Sequence, residues 1–203
     1  MVAVKHINKE RIKTVYVDNE EPFDELKVMR ETCRGQASNF IDLIDVFEDK
    51  DKYYIVTQFY EKGDLSHFYD RKVEKTPAEV LLKYLAKQLV DAVRGLHERN
   101  ILHRDIKPSN VLIKRKDTDM QVVLADFGSA RQLKDRREKI TFKIGTQGFM
   151  APEMILGQPY GLEIDIWCLG ALFYFMFTNQ EPFYSESEYE MNRRVCYFPI
   201  NLD

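Results

Sequence analysis

Apolar and polar positions alternate along Val2-Ala3-Val4-Lys5-His6-Ile7, a β-rich opening that predicts a strand. From Pro22 to Cys33 the spacing changes, and Phe23, Leu26 and Met29 fall at helical intervals. Two strand-like runs follow, Phe40 to Phe47 and Tyr53 to Tyr60, separated by the charged turn Glu48-Asp49-Lys50-Asp51-Lys52, which is the pattern of a hairpin. Past Gly63, Thr76-Pro77-Ala78-Glu79 opens a long helix with a Thr cap, a Pro in the first helical position and a Glu three residues after the Thr. Val80, Tyr84, Leu85, Leu89 and Val93 are read as its apolar face. Val111-Leu112-Ile113 and Val122-Val123-Leu124 predict two further short strands, and Ile164 to Thr178, too short to span a bilayer, predicts a buried helix. The pattern is α+β, with a small sheet-rich part over residues 1–60 and a larger helical part over 61–203.

Composition adds exclusions rather than a function. With 203 residues, 44% hydrophobic, 31% charged and a formal net charge of −3, the chain suits a globular domain and gives no reason to expect a nucleic-acid or membrane partner. Cys33, Cys168 and Cys196 are odd in number, far apart and in no CxxC arrangement, which suits reduced thiols in a cytoplasmic or nuclear protein and no metal site. Met1 to Lys5 lacks the basic-then-apolar pattern of a signal peptide.

Chemistry concentrates in three motifs. His103-Arg104-Asp105-Ile106-Lys107-Pro108-Ser109-Asn110 is followed sixteen residues later by Asp126-Phe127-Gly128, and then by Ala151-Pro152-Glu153. Taken singly, Asp105 and Asn110 read more readily as an Asx turn beside Pro108, and Asp126 as a turn before Gly128. In series they match HRDxxxxN, DFG and APE, and the chain resembles the eukaryotic-type protein kinases, of the serine/threonine class, from that family's third strand to about its seventh helix. The resemblance implies a two-lobed kinase-like fold, partial in both lobes, that uses ATP and Mg²⁺ and phosphorylates Ser or Thr hydroxyls of protein substrates.

Residue by residue, the resemblance makes Asp105 the group that meets the substrate hydroxyl, brings Lys107 to the γ-phosphate, and gives Asp126 and Asn110 to the metal. Lys5, in Val2-Ala3-Val4-Lys5, would hold phosphate oxygens with Glu25 as its helix partner, while Glu20, Glu21 and Asp24 are read as a solvated helix start. Thr57 would back the adenine pocket, Gln58, Phe59 and Tyr60 would offer backbone hydrogen bonds, Asp64 would face the ribose, and Ala3 and Leu112 would sandwich the base. Met29, Leu43, His103 and Phe127 match the family's stacked column, and Asp165 matches the aspartate that braces the catalytic loop, with helix capping as the duller reading.

Lys107 and Thr146 carry the serine/threonine assignment. Arg104 and Arg131 would hold a phosphate on Thr141, placed there by an activating kinase or by autophosphorylation, although Lys134, Arg136, Arg137, Lys139 and Lys143 also suit a solvated basic loop. The family's glycine-rich loop should precede Lys5, where only Met1 to Val4 stand, so the resemblance is to a kinase truncated at both ends. A non-catalytic binding module of kinase fold and a small-molecule kinase stay open beside it. The Ala-Pro-Glu motif speaks against the small-molecule kinase.

Overall fold

The computed structural model describes residues 1–17, 23–33, 39–70, 79–116 and 119–197. Strand β1 (Val2–Asn8) leads through a short helix α1 (Lys9–Ile12) and a π-helical turn (Lys13–Val17) to helix α2 (Glu25–Thr32). Strands β2 (Leu43–Glu48) and β3 (Lys52–Gln58) then form the expected hairpin. Its turn is set by Asp49, whose Oδ1 accepts from the amides of Asp51 and Lys52 at 2.8 Å. The three strands make one antiparallel sheet in the order β1-β3-β2, with Ala3 and Leu43 both opposite Thr57.

Helix α3 (Leu65–Asp70) and the long α4 (Glu79–His97) open the helical part. Thr76, Pro77 and Ala78, which carried the capping argument, lie outside the described residues, as do Glu20, Glu21 and Pro22. The buried face of α4 is Leu82, Leu85, Gln88, Leu89, Ala92, Val93 and Leu96. This corrects the sequence reading, because Val80 and Tyr84 are 80% and 42% exposed. At about 100° per residue these two project away from the stripe centred on Leu85, Leu89 and Leu96.

Strand β4 (Ile101–Leu102) ends at the motif loop, which closes in a 3₁₀ turn (Pro108–Asn110) and runs into β5 (Val111–Lys116). β5 pairs with β6 (Asp119–Leu124), and β4 pairs with β7 (Arg131–Gln132), so both ends of the Asp126 turn are pinned to strands flanking the Asp105 loop. Helices α5 (Pro152–Ile155), α6 (Glu163–Thr178) and α7 (Glu188–Tyr197) follow among the described residues. α6 is buried at Ile164, Asp165, Cys168, Leu169, Ala171, Leu172 and Met176, as its apolar sequence predicts. No helix among the described residues is long and apolar enough to cross a membrane.

One apolar core joins both parts. Val28 and Met29 of α2, Ile55 of β3, Leu85 and Leu89 of α4, Val122 and Leu124 of β6, and Leu172 of α6 belong to the same cluster. Backbone contacts reinforce the junction: Ile41 N donates to Leu124 O at 2.9 Å and Leu124 N to Asn39 O at 2.7 Å. A second, smaller cluster of Leu102, Leu133, Met150, Ala151, Met154, Tyr160 and Ile164 lies under the segment from β7 to α5. The site is therefore built where rigid elements meet, with its chemistry on the loops between them.

Candidate active site

Two groups of polar side chains face the junction. The first is centred on Lys5, on β1, whose Nζ lies 2.7 Å from Glu25 Oε1 of α2 and 2.7 Å from Asp126 Oδ1. Glu25 is 2% exposed, whereas Lys5 and Asp126 are open to solvent along one side. Burial raises the Glu25 carboxyl and the Lys5 ammonium only partly offsets it. Burial also pushes Asp126 upward, but there Lys5 and the Gly128 amide prevail and hold the carboxyl below its ordinary range. The Lys5 ammonium, lowered by burial but drawn up by two carboxylates, ends above its ordinary value.

Asp126 sits at φ 58 and Arg104 at φ 67, in left-handed conformations that L-residues seldom adopt. Gly128 explains the tightness of the turn. A Cβ there would stand 3.1 Å from Lys5 Nζ and 3.2 Å from Asp126 Oδ1. A cavity of about 580 Å³ opens on this group, lined by Lys5, Glu25, Asp126 and Gly128 together with Tyr16 and Arg11.

The second group is centred on Asp105. Its Oδ1 accepts from the Thr146 hydroxyl at 2.6 Å, and its Oδ2 meets Lys107 Nζ and Asn110 Nδ2, each at 2.9 Å. Asn110 also donates to the Asp105 carbonyl at 2.8 Å, and Lys107 Nζ reaches the Thr146 hydroxyl at 2.5 Å. Thr146 arrives from a distant segment, and Gly145 permits the approach. At φ 130, a Cβ on Gly145 would stand 2.8 Å from the Arg104 carbonyl.

Beneath the loop, Asp165 is fully buried and not a helix cap: α6 begins two residues earlier. Its Oδ2 accepts from the His103 amide at 2.9 Å and its Oδ1 from the Arg104 amide at 3.0 Å, while His97 Nε2 lies 3.0 Å from Oδ2. His103 links the two groups. Its Nδ1 accepts from the Asp105 amide at 3.3 Å, its Nε2 faces the Ala125 carbonyl at 3.1 Å, and its ring contacts Phe127 at 5.2 Å between centroids. Met29 and Leu43 lie in the same core as Phe127.

Other expected positions gather less closely. Thr57 is buried behind β1, opposite Ala3, and Leu112 pairs with Asp64 in an isolated bridge beside the Gly63 turn. Asp64 Oδ1 accepts from the His67 amide at 2.9 Å and so caps α3. Gln58, Phe59 and Tyr60 border a separate recess of about 420 Å³; Ala3, Thr57 and Leu112 line neither it nor the larger cavity. Thr141 is exposed. Arg104 is 1% exposed and donates from Nε to the Ser129 carbonyl, and Arg131 faces Asp24 and Glu138, each at 3.8 Å.

Sequence reading missed four contributors. Asp24, taken as solvated, is only 14% exposed and accepts from the Gln132 amide at 2.8 Å, tying the start of α2 to β7. Glu138, His97 and Tyr16 were not singled out. Only Asp24 carried a usable signal, as an acid at a helix start; the others owe their roles to contacts 7 to 112 residues away. The basic run is also less free than its composition suggests, since Lys139 pairs with Glu163 and Arg136 donates to the His97 carbonyl at 3.4 Å.

The chain belongs to the protein kinase domain family, whose model matches residues 1–200. It is similar to the calcium/calmodulin-dependent protein kinase cmkA of Emericella nidulans, 40% identical over 190 residues, covering 92% of this chain and 43% of that one. It is also similar to calcium/calmodulin-dependent protein kinase type 1 of Macrobrachium nipponense, 32% identical over 205 residues, covering 100% of this chain and 56% of the relative. The type 1 enzyme of Caenorhabditis elegans is 33% identical over 190 residues, 93% of this chain and 51% of its own. The chain spans about half the length of the curated relatives it matches.

Proposed function

We propose that this protein transfers the γ-phosphoryl group of ATP to Ser or Thr hydroxyls of protein substrates. The observation that carries the reading is the Asp105 group: a carboxylate accepts an aliphatic hydroxyl at 2.6 Å while a lysine ammonium stands against the same two partners. The Thr146 hydroxyl, an aliphatic alcohol already bound to this carboxylate, supports the reading. A substrate alcohol so held is oriented for in-line attack and can pass its proton to Asp105, while Lys107 offsets charge growing on the transferred group.

Lys5, fixed in direction by the buried Glu25, is placed to hold phosphate oxygens. Asp126 and Asn110 supply oxygen donors from either side of the Asp105 loop, and the described residues hold no cluster of three or more His, Cys, Asp or Glu side chains that would make a closed metal cage. Two hard oxygen donors fit Mg²⁺, which keeps waters and phosphate oxygens in its remaining positions. Bound there, the ion supplies charge neutralisation of the phosphates. Asp126 is suited to this because its described hydrogen bonds fall on Oδ1 and its carboxyl stays ionised. Thr57, the Gln58 to Tyr60 backbone, Asp64, Ala3 and Leu112 complete the nucleotide site in this reading, and Arg104 and Arg131 serve a phosphate on Thr141.

Three variants test the assignment by separating binding from transfer. Asp105→Asn should lower turnover at least about a hundredfold with little change in ATP affinity, because its hydroxyl contact matters in the transition state. Asp126→Asn should weaken Mg²⁺-dependent ATP binding as well as turnover, and Lys5→Met should misplace the phosphates. Wild-type protein that binds ATP but transfers nothing above the Asp105→Asn background would leave a binding module instead. Phosphotyrosine as the main product would overturn the serine/threonine assignment drawn from Lys107 and Thr146.

A further inference from the structure

The segment between β1 and α2 reaches into the active site at one atom. Tyr16, in the π-helical turn Lys13–Val17, donates its phenol hydrogen to the Gly128 carbonyl at 2.5 Å, across 112 residues of sequence. Its ring packs on Phe23, just ahead of α2, at 5.3 Å between centroids, and it lines the cavity that also exposes Lys5, Glu25 and Asp126. Gly128 is thereby held through both of its backbone groups: its N–H faces Asp126 Oδ1 at 3.3 Å and its C=O receives Tyr16. The next carbonyl, Ser129, is taken by Arg104 Nε from the Asp105 loop.

A turn that places Asp126 at φ 58 stores strain and needs such external restraint to persist. π-Helical turns are rare and are found often at functional sites. We infer that Tyr16 is a positioning residue for Asp126: its hydroxyl, by fixing the Gly128 carbonyl, sets the turn that aims the Asp126 carboxylate at Lys5 and at the metal. This rests on the phosphotransfer reading above for the metal's role, and on geometry alone for the clasp. The clasp also makes the approach of α2 and the order of the Asp126 turn one event, because Tyr16, Phe23 and Asp24 all flank the start of α2 and Asp24 holds the Gln132 amide.

Tyr16→Phe tests the idea because it keeps the ring and its contact with Phe23 while deleting the hydroxyl. Two measurements are needed on wild type and variant: calorimetric titration of ATP with Mg²⁺ and with EDTA, and amide hydrogen exchange in the absence of nucleotide. The variant should bind ATP about threefold to tenfold more weakly with Mg²⁺, the range for one lost hydrogen bond, and equally well in EDTA. Exchange should quicken at residues 127–130 and stay unchanged in the core of α4. Equal losses with Mg²⁺ and EDTA, unchanged exchange at 127–130, or faster exchange throughout the chain would each overturn the inference. If the wild type binds ATP identically in both conditions, the phosphotransfer reading fails; exchange at 127–130 then decides the clasp by itself.

Discussion

Acidification should loosen the Asp105 loop, because His103 is held in one uncharged form. Its Nδ1 accepts from the Asp105 amide and its Nε2 faces the Ala125 carbonyl, so the neutral ring with its proton on Nε2 satisfies both neighbours. A second proton would set Nδ1–H against the Asp105 N–H. Full burial drives the imidazole below its ordinary 6.5, and although Asp165, Asp105 and Asp126 draw it upward, burial wins. A depressed folded value means the stabilisation is complete above 6.5 and is lost as pH falls toward the folded value. Over that window a single such group removes at most about 1.4 kcal/mol of stability per pH unit. Glu25 acts oppositely: its raised carboxyl takes up a proton in the folded state first, which adds stability as pH falls toward its ordinary 4.5. The control is therefore His103→Gln, whose amide can accept and donate but does not titrate. Urea unfolding of both proteins between about pH 7.5 and about pH 5 should give a wild-type stability that falls more steeply with decreasing pH than that of the variant. Parallel curves would refute the argument.

Asp165→Ala removes a fully buried acceptor from the His103 and Arg104 amides and from His97, and should lower unfolding free energy by about 3–5 kcal/mol; a loss under about 1 kcal/mol in urea titration would contradict the bracing role. Thr146→Val takes away the hydroxyl shared by Asp105 and Lys107 and should cut turnover about tenfold or more with ATP affinity unchanged, which steady-state kinetics beside calorimetry will show. Where phosphotransfer is found, mass spectrometry of the active protein should find phosphate on Thr141, and Thr141→Ala should lower activity; an activating phosphate elsewhere excludes the assignment.

The hairpin and the helices α2 and α4 were legible from their periods, and α6 from a nearly continuous apolar run without a polar face. Where the sequence misled, the cause was local. Val80 and Tyr84 look apolar, but only the cumulative rotation from Leu82 to Leu96 shows which side of α4 meets the core. The motif residues Lys5, Glu25, Asp105, Lys107, Asn110 and Asp126 were readable one by one, and the structure brings them into two hydrogen-bonded groups. Their supports were not readable. Nothing local marks Tyr16 as a donor to Gly128 or Glu138 as a partner of Arg131, since those contacts exist only after the strands have paired.

The Lys5 group has a consequence for the order in which ligands arrive. One ammonium is shared by two carboxylates at equal distance, so the group carries a net negative charge before anything binds. Metal-free nucleotide, itself a polyanion, must take Lys5 from Asp126 and leaves that carboxylate facing phosphate. A divalent cation arriving with the nucleotide reverses the balance: it compensates Asp126 at the moment Lys5 turns to the phosphates, and no charge is stranded. In the phosphotransfer reading proposed above, the lysine thus holds the metal's place, and repulsion rather than shape disfavours bare nucleotide.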